Sequence, residues 1–238
     1  MFRLGGLVGG AVAVVALISL SVALAATGEP ADGGASGDGR AGPPAFEGGV
    51  ERLSPALRDR MTGSSWHEGC PLGLSRLRLV RASHWDFHGR PARGVVVVHE
   101  RYAGEILDVL RRLYAKRFPI RRMELVDRYD ADDHRSMAHD NTSAFNCRFV
   151  NGTSRWSMHA YGKAIDLNPR ENPYVSGDFV SPPEGRPYAD RKPRRPGMIF
   201  GDGPVTRAFE RIAGWEWAGA PSSTRGFRDY QHLSADGT

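Results

Sequence analysis

The sequence predicts an α+β domain: a small, mainly antiparallel sheet with two or more helices packed on one side. Three observations carry this. Apolar pieces of strand length recur along the chain, two longer segments have the 3.6-residue apolar spacing of helices, and no strand–helix–strand rhythm repeats. The four valines at 95–98 read as a buried strand. From His99 to Arg117, Tyr102, Ile106, Val109, Leu110 and Leu113 share one helical face, and Phe118-Pro119 closes the segment. Met123–Val126 reads as a short strand, 130–141 as a polar loop, and Phe145–Val150 as a further strand. Ala164–Leu167 is another strand, stopped by Asn168-Pro169. Residues 169–201 are so rich in Pro, Gly and Arg that they read as a long excursion with little regular structure. Asp202-Gly203-Pro204 opens a second helix that runs to about Ala213, with Val205, Phe209 and Ile212 on one face. Trp215–Trp217 and Tyr230–Leu233 are the expected final strands.

With 238 residues, 40% hydrophobic and 25% charged, the chain has material for one packed domain plus extensions. That composition excludes full-length disorder, a coiled coil and a multi-pass membrane protein. Residues 1–25 read as a signal peptide: Arg3 is followed by an uncharged Val/Leu/Ala run that ends at Ala23-Leu24-Ala25. At about 20 residues the run is also long enough for an uncleaved N-terminal anchor. Either reading places the rest outside the cytoplasm, secreted, wall-associated or membrane-anchored. Residues 26–46 are a Gly/Ala/Pro linker with too little apolar mass to order itself, and 47–238 form the domain. That domain has 30 cationic against 24 anionic side chains, a mild pull toward an anionic surface. The arginines are scattered and no recognition motif appears, so no nucleic-acid partner is expected. The two cysteines, Cys70 and Cys147, form an even pair in an exported chain and are expected to be bridged. A monomer is expected.

Eight histidines are present. His84 and His88 sit beside Trp85 and Phe87 in what reads as a hairpin, and His134 and His139 lie among Asp132, Asp133 and Asp140 in what reads as a solvated loop. The segment SMHAYGKAIDLNP (157–169) is different. Its Gly permits a tight turn, so a strand–turn–strand fold lets His159 and Asp166 converge on one metal ion, with imidazole and carboxylate suiting Zn²⁺. Two ligands are too few. RDYQHLS, near the end, offers His232 with Asp229 three residues before it. Two His and one carboxylate leave a fourth position open, the arrangement of catalytic rather than structural zinc.

SMHAYGKAID (157–166) with DYQHL (229–233) resembles the signature of the M15 zinc D,D- and L,D-peptidases: Ser-x-His-x-x-Gly-x-Ala-x-Asp, then an acid three residues before a late His. CP at 70–71, FPI at 118–120, NTSAFNCR at 141–148, NPYV at 172–175 and GWEW at 214–217 resemble the D-alanyl-D-alanine carboxypeptidase-like, VanY-type branch. The resemblance implies one catalytic Zn²⁺ on His159, Asp166 and His232, with Asp229 as general base and then acid. It implies that Arg148 stabilises developing negative charge, and that Ser157, Asp133 and Tyr161 meet the substrate, with Trp156 as a further cleft residue; Trp217 is expected to pack in the core rather than line the cleft. The implied activity is D-alanyl-D-alanine carboxypeptidase action on peptidoglycan stem peptides. An L,D-endopeptidase acting within the stem or cross-bridge, and a non-catalytic zinc-stabilised wall-binding module, are the alternatives. Two departures touch the cleft wall and no ligand: GWEWAGAPSS where relatives continue with Gly-Gly and a further Trp, and His232-Leu233-Ser234 where relatives have His-Phe-Glu.

Overall fold

The computed structural model describes residues 44–221 and 226–236. The expected signal peptide or anchor and residues 26–43 of the linker lie outside them. Among the described residues, no helix is long and apolar enough to cross a membrane. The architecture is α+β as expected, but its strands form four small sheets, one of them a parallel pair and the rest antiparallel.

Strand β1 (Gly48–Arg52) leads into helix α1 (Pro55–Met61). Ser54 caps α1 by accepting from the Leu57 N–H at 3.2 Å, and Pro55 supplies a preset φ at the first helical position. Strands β2 (Leu77–Trp85) and β3 (Pro91–His99) form a hairpin, and β1 adds to the outer edge of β2. Neither β1, α1 nor β2 was expected from the sequence. Val80, Ala82, Val96 and Val98 join the larger core, whereas Leu77, Leu79 and Val97 join a second cluster with Met61, Phe145 and Cys147. Both sides of the sheet are therefore covered, which is why the valines run continuously instead of alternating with polar residues.

Helix α2 (Ala103–Ala115) lays Ile106, Val109, Leu110 and Leu113 on the larger core, the face its spacing predicts. It starts later than expected because Glu100–Tyr102 form a tighter 3₁₀ turn. Strand β4 (Arg122–Met123) is followed by α3 (Asp133–Ala138) and β5 (Asn141–Thr142), which pairs in parallel with β4. The expected polar loop at 130–141 thus contains a helix. Asp132 caps it by accepting from the Arg135 N–H at 3.0 Å, and six residues are too few to display an apolar period.

Residues 145–150 do not form the expected strand. Their backbone bonds go to separate partners: Phe145 N–H donates to Val97 C=O at 2.9 Å, and Cys147 N–H to Ser65 C=O at 2.9 Å. The first part, 145–147, is a buried connector, and the predicted Cys70–Cys147 disulfide fastens it. Strand β6 (Ala164–Asp166) precedes the hairpin β7 (Tyr174–Ser176) and β8 (Phe179–Ser181). The excursion at 169–201 is more ordered than expected. Besides that hairpin, it is pinned by two buried amides: Asn168 Nδ2 donates to Pro119 and Gly197 carbonyls, and Asn172 Oδ1 accepts from the Ile199 N–H at 2.6 Å. Helix α4 (Pro204–Ala208) widens into a π-turn at Phe209–Ala213, and strands β9 (Glu216–Trp217), β10 (Arg228–Asp229) and β11 (His232–Ser234) complete the chain's elements. The sheet orders are β6–β11–β9 and β10–β7–β8.

Candidate metal centre

His159 lies on a 3₁₀ turn, Met158–Tyr161, and not on a strand as the spacing suggested. Ser157 caps that turn, its Oγ accepting from the His159 N–H at 3.3 Å. Gly162 ends it with φ +62°, and its carbonyl accepts from the His99 N–H at 2.9 Å. A Cβ at 162 would stand 2.5 Å from His99 N, so glycine is required both for the turn and for the approach to β3. The chain then enters β6. Asp166 is held on both sides, by paired backbone bonds with Ser143 at 3.0 and 2.9 Å and by β11, where His232 stands directly opposite it. Antiparallel register thus brings together two side chains 66 positions apart.

His159, Asp166 and His232 are buried, with 2, 3 and 8% of their surfaces exposed. His159 Nδ1 lies 2.5 Å from the Ala144 carbonyl oxygen, which can only accept, so the ring proton sits on Nδ1 and Nε2 keeps its lone pair. That Nε2 is 3.3 Å from His232 Nδ1 and 3.2 Å from Asp166 Oδ2, while His232 Nδ1 is 2.9 Å from Asp166 Oδ1. Zinc bonds of about 2.0–2.1 Å give tetrahedral edges of about 3.3 Å; the edge between the two imidazoles has that length, and each has one Asp166 oxygen at a similar distance. Three electron-pair donors converging out of water call for a cation, and the residues fit Zn²⁺. Burial pushes the Asp166 carboxyl up, but His159 and His232 outweigh it and hold it well below the usual carboxylate range. Burial disfavours charge on His232 too, yet the bond and charge of Asp166 raise it overall. His67, Cys70 and Cys147 also lie close together, but both sulfurs are consumed in the disulfide.

A cavity of about 570 Å³ opens onto the triad. Asp229, Arg148, Ser157 and Asp133 line it with the three donors, and so does Trp156. The chain turns between β10 and β11, which returns Asp229 to the wall that carries His232. Asp229 Oδ1 is buried without a hydrogen-bond partner among the described residues. Burial is the main cause that pushes this carboxyl up to about 6, and the Asp166 charge adds to it. Arg148 Nη2 pairs with Asp133 Oδ2 at 2.8 Å. Tyr161 stands apart: it does not line the cavity, and its ring lies beside the Lys163 ammonium at 6.0 Å. Trp217 is also off the cavity wall; its Nε1 donates to Tyr230 C=O at 2.8 Å.

Residues 151–235 match a family model described as D-alanyl-D-alanine carboxypeptidase. This stretch is similar to the M15 peptidases. The matched stretch contains all three donors and Asp229, whereas Arg148 and Asp133 precede it. Comparison with curated proteins and with solved structures returned no match. Two further residues of the site were missed by sequence reasoning. Gln231 is 3% exposed, lines the cavity, has an Oε1 without a partner among the described residues, and sets its Nε2 3.4 Å from the Met137 sulfur and toward the Asp229 carboxyl. Met137 lies on α3, in the segment read as a polar loop. Gln231 sat in plain view between Asp229 and His232, but only the fold shows that its amide is left open.

Proposed function

We propose that the chain is an exported zinc metallopeptidase that hydrolyses peptidoglycan stem peptides, acting as a D-alanyl-D-alanine carboxypeptidase. The observation that carries the reading is the convergence of His159 Nε2, Asp166 and His232 Nδ1 beside the buried carboxyl of Asp229 in one cavity. The family match over the same residues supports it. A zinc ion held by His159, Asp166 and His232 supplies Lewis-acid polarisation of the scissile carbonyl and activation of water. Asp229 takes the proton of the attacking water and later delivers it to the leaving amine; a carboxyl pushed up to about 6 is suited to both tasks near neutral pH. Arg148 presents a guanidinium to the cavity, braced by Asp133, where negative charge develops on the substrate. Ser157 holds the His159 turn and offers its hydroxyl to the peptide.

The test is product mass spectrometry on defined stem peptides, with metal analysis of the same preparation. The expected results are about one zinc per chain and loss of a single terminal alanine, abolished by chelation. Asp229→Asn should keep its zinc and lose about 10²–10⁴ in kcat. Internal cleavage would move the assignment to an endopeptidase. Stem-peptide binding without turnover would make the protein a wall-binding module.

A further inference from the structure

Four large hydrophobic residues remain exposed among the described residues: Val50, Phe149, Phe179 and Phe227. Phe179 and Phe227 line the cavity that holds the candidate metal centre, and Phe149 stacks on Trp156, which lines it too. Phe149 belongs to a finger that the sequence did not reveal. There Ser157 N–H donates to Arg148 C=O at 3.0 Å, and Val150 N–H to Arg155 C=O at 2.8 Å, which sets Phe149 opposite Trp156. Their rings stack with centroids 4.1 Å apart. Trp156 lines the cavity and covers one face of Phe149, whose side chain is still 45% exposed. Phe179, 60% exposed, opens β8, and Phe227 precedes β10. Both line the cavity and pack on Tyr174, at 6.2 and 5.2 Å. Each exposed ring is thus braced from behind by an aromatic cavity residue, with bare surface toward solvent. Such preorganised faces bind without a large ordering cost.

The surroundings select the occupant. Asn151, Arg155 and Ser176 line the same cavity and add polar groups to the wall that carries the rings. Three partly exposed rings offer on the order of 300 Å², well short of the ~800 Å² per partner that a stable dimer covers. The rings are divided between two separate elements, so they do not form the continuous strip that an acyl chain or apolar helix needs. A ligand with flat C–H faces and hydrogen-bonding edges satisfies both features, and a pyranose ring is such a ligand. Resting on the peptidase reading above, we propose that the Phe149–Trp156 and Tyr174–Phe179–Phe227 aromatics form a saccharide subsite. It holds sugar of the glycan that carries the stem peptide while that peptide lies over the metal centre.

The probe is the N-acetylglucosamine trimer, titrated into the full exported chain by calorimetry and indole fluorescence. Saturable binding is expected. Phe149→Ser and Phe179→Ser, both at exposed positions, should each weaken it about three- to tenfold, the value of one lost aromatic stack, with zinc content and circular dichroism unchanged. No saturable binding, or binding equal in both variants and wild type, overturns the subsite. A concentration-dependent dimer abolished by Phe149→Ser also overturns it, because the face then serves a second copy. A parallel arm compares hydrolysis of bare and disaccharide-linked pentapeptide; Phe149→Ser should lose only the advantage of the linked substrate. Trimer binding without hydrolysis of either peptide would sink the peptidase reading and leave the subsite standing. Hydrolysis without trimer binding would do the reverse.

Discussion

Glu171 keeps its carboxyl where a proton suits it better than a charge. It is 1% exposed, one of its oxygens has no partner among the described residues, and Arg121 approaches only to 3.4 Å. Burial, with the Asp140 carboxylate beside it, pushes its pKa from 4.5 up to about 8. The folded protein therefore holds a proton that the unfolded chain releases near pH 4.5. The stability this contributes is full below that pH and fades as pH rises through about 8. Urea melts should show a loss on the order of 2 kcal/mol between pH 5 and 8, and Glu171→Gln should flatten that slope. Gln231 is the opposite kind of residue, a neutral amide left open. Replacing it by Met removes a buried orphan, so the melting midpoint should hold or rise, by the equivalent of about 1 kcal/mol. A clear fall in the midpoint would mean that the amide has a structural partner. At this scale the sequence was informative where one short segment held the chemistry: His159 with Asp166, and Asp229 with His232. It was silent where a role depends on burial, as for Glu171, or on what a side chain fails to meet, as for Gln231. Tyr161 shows the same limit from the other side: its place in the motif says nothing of where its ring goes.

The turn at Gly162 is the element on which the centre hinges. Its positive φ and its contact with His99 leave no room for a methyl group. Gly162→Ala should cost about 2–4 kcal/mol, measured by denaturant unfolding, and should weaken zinc binding by displacing His159 from Asp166. Elements that carry enough residues to show a period were readable: α2 by its apolar stripe, the β3 valines by their run, β6 by its apolar trio before Asn168-Pro169. Elements of one turn or one bridge were not. Helix α3 is six residues long, and the 145–147 connector is apolar because it is buried, without being part of any ladder. Its hydrophobicity was read correctly and its geometry was not, since burial alone does not separate a strand from a pinned loop.

For the whole molecule, the Cys70–Cys147 bond closes a loop of 77 positions and ties the second core cluster to the connector that leads into Arg148. The paired Cys70→Ser and Cys147→Ser variant should lose roughly 4 kcal/mol of stability, read by urea titration against wild type with and without reductant. Pairing was legible from cysteine number and the expected export signal, and the α+β class from the mixture of short strands and helices. The division into four sheets was not, because it depends on long-range pairing that no local pattern encodes. The same pairing also fixes when the centre can exist. Strand β11 is the middle of its sheet, and it brings His232 to Asp166 from 66 positions away. A ribosome adding about 5–20 residues per second needs several seconds after delivering Asp166 before it delivers His232. During that interval β6 lacks its neighbour and the donor triangle lacks a corner. Capture of an ion at the candidate centre would therefore belong to the finished chain, because on a nascent one the site is unassembled.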